Sequence, residues 1–211
     1  MLAAMSQPSS ASADRIVWVD CEMTGLDLER DALVEVAALV TDSDLNVLGD
    51  GIDVVIKPPQ ESLDRMGEVV RTMHTTSGLL AEMEGGMSLA EAEEAVLAYV
   101  REHVPEPRKA PLAGNSVGTD KGFLARDMPA LDGHLHYRII DVSSVKELAR
   151  RWYPRAYYAA PAKAGGHRAL ADIRESILEL RYYREAVFVP PPGPDSASAR
   201  AVAAKVTGAV H

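Results

Sequence analysis

Asp20 and Glu22 stand two residues apart at the end of Ile16-Val17-Trp18-Val19, a β-branched and aromatic run that favours a buried strand. Side chains alternate along a strand, so both carboxylates point to one face. Unpaired, they would repel each other and resist desolvation unless one is protonated or a cation lies between them. A divalent metal ion answers both problems. The plainer alternative is a strand end in solvent, with Asp27 and Glu29 continuing a polar loop. Two further acids repeat the anomaly. Asp120 shares the apolar face of a helix with Phe123 and Leu124, and Asp172 lies beside the stripe Leu170, Ile173, Ile177 and Leu180 of the last long helix. Five residues apart, His167 and Asp172 would face about 140° apart if both were helical. Gly165-Gly166 lets His167 sit in the preceding loop and fold back towards Asp172, which makes it a candidate base.

The elements that must carry these groups follow from period and turn chemistry. The run ending near Glu22, Leu33 to Thr41, and Val47 to Lys57 read as three strands. Asp42-Ser43-Asp44 makes a tight second connection, so an antiparallel meander is expected. Glu35, inside the second strand, is read as an edge or solvent-facing residue. Between Glu61 and Glu84 the pattern is broken and rich in Met, and His74 there is a weak binding candidate. Ser88-Leu89-Ala90-Glu91 is a capping box opening a helix over 88–103. Ala110 to Asn115 is a short strand ending in a Gly-rich turn, and Gly114 and Gly118 lack the spacing of a dinucleotide fingerprint. Tyr137 to Val142 is a further strand. Ser144-Val145-Lys146-Glu147 reads as a second capping box, with Val145, Leu148, Ala149 and Trp152 as the buried stripe of its helix. Asp141 is assigned a helix-start role. Lys146 to Arg155 carries four basic residues and one acidic, either a phosphate-facing patch or a solvated face.

With 211 residues, 47% of them hydrophobic, the chain can bury one sizeable core. One domain is expected over 15–188, with a flexible tail over 1–14 and a Pro/Ala-rich flexible tail over 189–211. Twenty-two basic against thirty-one acidic residues give a formal charge of −9, which argues against coating long duplex but not against a short nucleic-acid substrate. Cys21 is the only cysteine, so the chain has no intrachain disulfide and no cysteine-based zinc site, and a reducing cytoplasm fits it. It alternates away from Asp20 and Glu22 and reads as a small core hydrophobe. The first fourteen residues lack the regions of a signal peptide, and no apolar run reaches the roughly 18 residues of a membrane span.

In this order, Asp20, Glu22, Asp120, His167 and Asp172 resemble the DEDDh exonucleases, RNase H-like nucleases that work from the 3′ end. The neighbouring motifs narrow the resemblance to oligoribonucleases. They are Asp-Cys-Glu-Met-Thr-Gly-Leu-Asp, Gly-Asn-Ser-Val-Gly-Thr-Asp, His-Tyr-Arg-Ile-Ile-Asp-Val-Ser, Lys-Glu-Leu-Ala-Arg-Arg-Trp and His-Arg-Ala-Leu-Ala-Asp-Ile-Arg-Glu-Ser, followed by Tyr182-Tyr183-Arg184-Glu185. The resemblance implies an α/β fold with an RNase H-like mixed sheet, three antiparallel strands followed by parallel ones, flanked by helices. It implies a homodimer that cuts diribonucleotides and other very short oligoribonucleotides to 5′-mononucleotides, with linear dinucleotides from cyclic dinucleotide signalling as a second substrate class. In the family pattern Asp20, Glu22, Asp120 and Asp172 hold two Mg²⁺ or Mn²⁺ ions and His167 deprotonates the attacking water. Leu26 and a Tyr137 lent by the other subunit hold the bases. Ser116, Ser143 and Arg138, the last also lent across the interface, cap the 5′ phosphate, with His74 a weaker match. One departure is Val69-Val70, where many family members carry a tryptophan. The competing readings are a general single-stranded DNA exonuclease of proofreading type and an inactive nucleic-acid-binding module.

Overall fold

The computed structural model describes residues 14–162 and 165–208. A five-stranded sheet in the order β3-β2-β1-β4-β5 is built from β1 (Ile16–Met23), β2 (Leu33–Thr41), β3 (Val47–Val55), β4 (Pro111–Gly114) and β5 (His136–Asp141). β1 pairs antiparallel with β2, and β2 antiparallel with β3, whereas β4 runs parallel to both β1 and β5. The expected mixed sheet is therefore present. The expected 1–14 tail lies outside the described residues except for Asp14.

Both faces are covered, so the central strands carry near-continuous apolar runs. Val17, Val19, Cys21 and Met23 point to one layer, formed by α4 (Leu89–His103), α5 (Gly118–Asp127) and α6 (Pro129–His134). Trp18 points the other way, with Ala37 and Leu39, to α7 (Val142–Trp152) and α9 (Ala169–Val187), whose Ala169, Ile173 and Ile177 complete that core. Its indole Nε1–H donates to Thr41 Oγ1 at 3.0 Å, so the large aromatic is buried without an orphaned polar atom. The remaining helices are α1 (Gln60–Arg65), α2 (Glu68–Thr76), α3 (Leu79–Glu82) and α8 (Pro154–Tyr158). α2 brings His74 into the interior. The capping box at Ser88 and Glu91 is formed as expected.

Four expectations need correction. Glu35 is fully buried rather than solvent-facing, because β2 lies inside the sheet and all nine of its residues are buried. The helix after β5 starts at Val142, not Ser144. Asp141 caps it by accepting the Ser143 N–H, which leaves Glu147 free to pair with Arg150 and Arg151. Of that helix's apolar stripe Ala149 is buried, while Leu148 and Trp152 are 43% and 65% exposed, lining an open pocket with Val187 and Phe188 that leaves them only partly covered among the described residues. Finally, the 189–211 tail contains α10 (Ser196–Gly208), a helix with no buried residue, as its high alanine content favours.

Candidate active site

The C-terminal ends of β1, β4 and β5 lie side by side, at the point where the sheet changes from antiparallel to parallel pairing. Such a switch point opens a crevice outside the strand ends. Asp20 and Glu22 arrive on β1. Immediately after Glu22 the pairing with β2 slips by one residue, an irregularity that re-aims side chains and ends the ladder. The chain leaves β4 through Gly114, where a side chain would meet Val19 O at 2.9 Å, so only glycine lets β4 approach β1 this closely. Three residues into the following helix, Asp120 turns back over the strand end, and its Oδ1 accepts the Cys21 N–H at 3.0 Å. Asp172 comes from the opposite layer, in the first turn of α9. Carboxylates from three elements on both sides of the sheet thus meet at one strand end.

Their crowding changes their chemistry. Burial pushes Asp20 up to about 9, and the neighbouring charges of Asp120, Asp172 and Glu22 push in the same direction. Glu22 is raised to about 8, by burial first and then by Glu35, Asp172 and Asp120. Asp120 is raised to about 6 by burial, against the lowering effect of the N–H groups it accepts. Oxygen donors that cannot all ionise together without a counter-charge fit hard divalent cations. Ligand atoms of Glu22, His167 and Asp172 lie within 4.8 Å of one another, so His167 does fold back towards Asp172. It does so from a left-handed backbone at φ 48, and Ser116 on the other side of the crevice is likewise left-handed at φ 54. Non-glycine residues hold that conformation where the surrounding contacts fix it.

Ser116 and Ser143 belong to one polar cluster. Asp141 Oδ1 accepts the N–H of both residues at 2.9 Å, and their hydroxyls are 3.0 Å apart. Ser143 Oγ donates to Asn115 Oδ1, and Asn115 Nδ2 donates to Ser176 and to the buried Glu179, which also pairs with Lys146. A groove of about 730 Å³ continues from Asp141 and Ser143 past Lys146 and Arg151 to Tyr157. Leu26 is 74% exposed on a loop closed by Asp31, which accepts the Thr24 hydroxyl and the Asp27 N–H. His74 is fully buried. Its Nε2 is 2.9 Å from Met23 O and its unpartnered Nδ1 is 3.9 Å from Glu22 Oε2, behind the carboxylates rather than on an open surface. Tyr137 and Arg138 are exposed near the start of β5, with the guanidinium over the ring. Tyr137 is four residues, about 13 Å of strand, before the end at which Asp141 sits. Val69, in the segment that departs from the family pattern, is exposed.

Two site-adjacent residues escaped the sequence reading. Glu35 lies opposite Glu22 in the β1–β2 register and accepts both Arg168 Nε–H and the Ala169 N–H. The signal was a lone charge inside Leu33-Val34-Glu35-Val36-Ala37-Ala38-Leu39-Val40, since a fully buried strand must give such a residue a partner. Arg168, next to His167, is that partner.

The exonuclease family model of RNase T type matches residues 17–180. The oligoribonuclease of Streptomyces coelicolor is 74% identical over 192 residues, covering 91% of this chain and 96% of that one. The chain belongs to the oligoribonuclease family. The oligoribonuclease of Cutibacterium acnes is 61% identical over 193 residues, covering 92% and 96% of the two chains. Among solved structures, exonuclease I from Methylocaldum szegediense superposes with a TM-score of 0.59 at 20% identity. A zinc-bound complex of Escherichia coli exonuclease I with single-stranded DNA gives 0.62 at 18%. Each match covers 82% of this chain but 41% of the longer exonuclease, and shows the fold alone. Oligoribonuclease-family membership makes this protein a metal-dependent nuclease that hydrolyses phosphodiester bonds. Among the described residues no helix is long and apolar enough to cross a membrane.

Proposed function

We propose that the protein is a 3′-to-5′ exoribonuclease that cuts diribonucleotides and very short oligoribonucleotides to 5′-mononucleotides, completing RNA decay. Linear dinucleotides from cyclic dinucleotide signalling are a second substrate class. The observation that carries this reading is the meeting of Asp20, Glu22, Asp120 and Asp172 at one strand end, each raising the affinity of its neighbours for positive charge. These four residues would hold two Mg²⁺ or Mn²⁺ ions, which would supply charge stabilisation for the entering and leaving oxygens of phosphodiester hydrolysis.

The chain's own groups do the rest. His167 Nδ1 or Nε2 takes the proton of the attacking water, a task for which an imidazole is suited near neutral pH. Ser116 and Ser143 offer hydroxyls to the 5′ phosphate, held in place by Asp141 and Asn115. Leu26 wedges against the bases from its tied loop. In a homodimer, Tyr137 and Arg138 of the second subunit close the pocket, which is consistent with their exposure and their position away from their own strand end. A capped pocket needs few phosphate contacts, so a net charge of −9 is no obstacle to so small a substrate. A cytoplasmic location suits this work.

The test compares hydrolysis of a 5′-phosphorylated diribonucleotide with that of a long single strand, in Mn²⁺. Faster release of mononucleotide from the diribonucleotide is expected. Similar rates on both would mean a general single-strand exonuclease, and binding without release would mean an inactive module.

A further inference from the structure

Resting on that reading of His167 as the base, we infer that Glu35, Arg168 and Glu82 form a latch that positions the His167 loop, with Arg168 a positioning residue for turnover. Arg168 directly follows His167 and is the last residue before α9. Its Nε–H donates to Glu35 Oε1 at 2.8 Å, and its two terminal nitrogens donate to the two oxygens of Glu82 at 2.9 and 3.0 Å. The remaining Glu35 oxygen accepts the Ala169 N–H at 2.9 Å, so a carboxylate of β2 caps the first turn of α9 from outside the helix. The Arg168 carbonyl in turn accepts the Asp172 N–H at 3.0 Å, opening the helical ladder that carries Asp172.

Three observations make this more than neutralisation of a buried acid. Glu35 has no exposed surface, so its position is set by the sheet and is a rigid anchor. The guanidinium does not serve Glu35 alone: it turns its fork on Glu82 of α3, so that one side chain ties β2 and α3 to the residue next to His167, with Asp53 and Glu22 also beside Glu35. His167 is in the left-handed backbone region after two glycines, where a bound anchor immediately downstream is what keeps one loop conformation populated. Breaking the fork frees the loop while leaving all four carboxylates in place.

Glu82→Gln and Arg168→Lys test this in the full chain. Glu82 is a surface residue, so its variant keeps the core, and lysine keeps a charge beside Glu35 while losing the planar fork. Each is expected to lower kcat on the 5′-phosphorylated diribonucleotide by about tenfold, because misplacing a reacting group by a fraction of an ångström costs rate and not affinity. KM and Mn²⁺ affinity should stay within about twofold, and amide hydrogen exchange across His167–Ala169 should rise by about tenfold. Parental kcat together with parental exchange in both variants would overturn the latch, as would a loss of Mn²⁺ affinity as large as the loss of kcat. If the parent releases no mononucleotide, the functional reading fails; faster exchange in the variants would still uphold the latch and parental exchange would sink it.

Discussion

The backbone N–H of Cys21 donates to Asp120 Oδ1 at 3.0 Å, tying the first turn of α5 to β1 across 99 residues of sequence. Asp120→Asn keeps an acceptor for Cys21 and opens no cavity, so thermal unfolding should stay within about 1 kcal/mol of the parent. Under the proposed two-ion chemistry, mononucleotide release should fall by more than about a hundredfold. Near-parental release would remove Asp120 from the site.

Unfolding in a chelator should be pH-dependent with a definite sign. Asp20, Glu22 and Asp120 sit at about 9, 8 and 6, all above an unfolded carboxyl at about 4. A carboxyl whose pKa is raised by folding contributes its full stability below the unfolded value and loses it as pH rises through the folded one. The unfolding midpoint should therefore fall from about pH 4 to about pH 9. Mn²⁺ should restore it most at the alkaline end. A midpoint that is flat or climbs across this window in chelator would show that burial and crowding do not raise these carboxyls.

His167→Ala separates base from ligand. As a base, its loss should lower kcat by roughly 10²–10⁴ with Mn²⁺ affinity nearly unchanged. Calorimetric titration with Mn²⁺ decides the matter, since an equal loss of affinity would make the imidazole a ligand.

The proposed lending of Tyr137 in a homodimer can be tested by complementation. Tyr137→Ala keeps its own carboxylates, and Asp120→Asn keeps its own tyrosine, so a mixed dimer contains one whole site. Mixing the two inactive proteins in equal amounts and letting subunits exchange should recover activity in about one quarter of all sites. No recovery, or a monomeric mass in solution, would end the lent-residue role.

How much of this was legible before folding differs from residue to residue. Asp20, Glu22 and Asp120 announced themselves because each breaks an apolar pattern whose period is unambiguous. Glu35 breaks one just as plainly and was misplaced, because alternation gives the face of a strand but not whether a neighbour will cover it. Trp152 and Leu148 failed in the opposite sense. Their helical stripe is real, yet among the described residues only the end of α9 and Phe188 come beside it, and both side chains stay largely exposed. The start of α7 was misread because Asp141 and Ser144 are both good caps, and only the end of β5 decides between them. Ser116 and Ser143, whose hydroxyls meet at 3.0 Å, are singled out by resemblance alone, since two serines 27 residues apart carry no pattern of their own.

Asp20 and Glu22 on β1, Asp120 on α5 and Asp172 on α9 are drawn from separate stretches of chain, the last of them arriving with the final helix to dock on the sheet. During synthesis the growing polypeptide therefore completes the carboxylate cluster only when α9, which also closes the core around Trp18, has been made. Under the proposed two-ion chemistry a nascent chain cannot cut until α9 seats, and a lesion that loosens α9 is expected to abolish cutting.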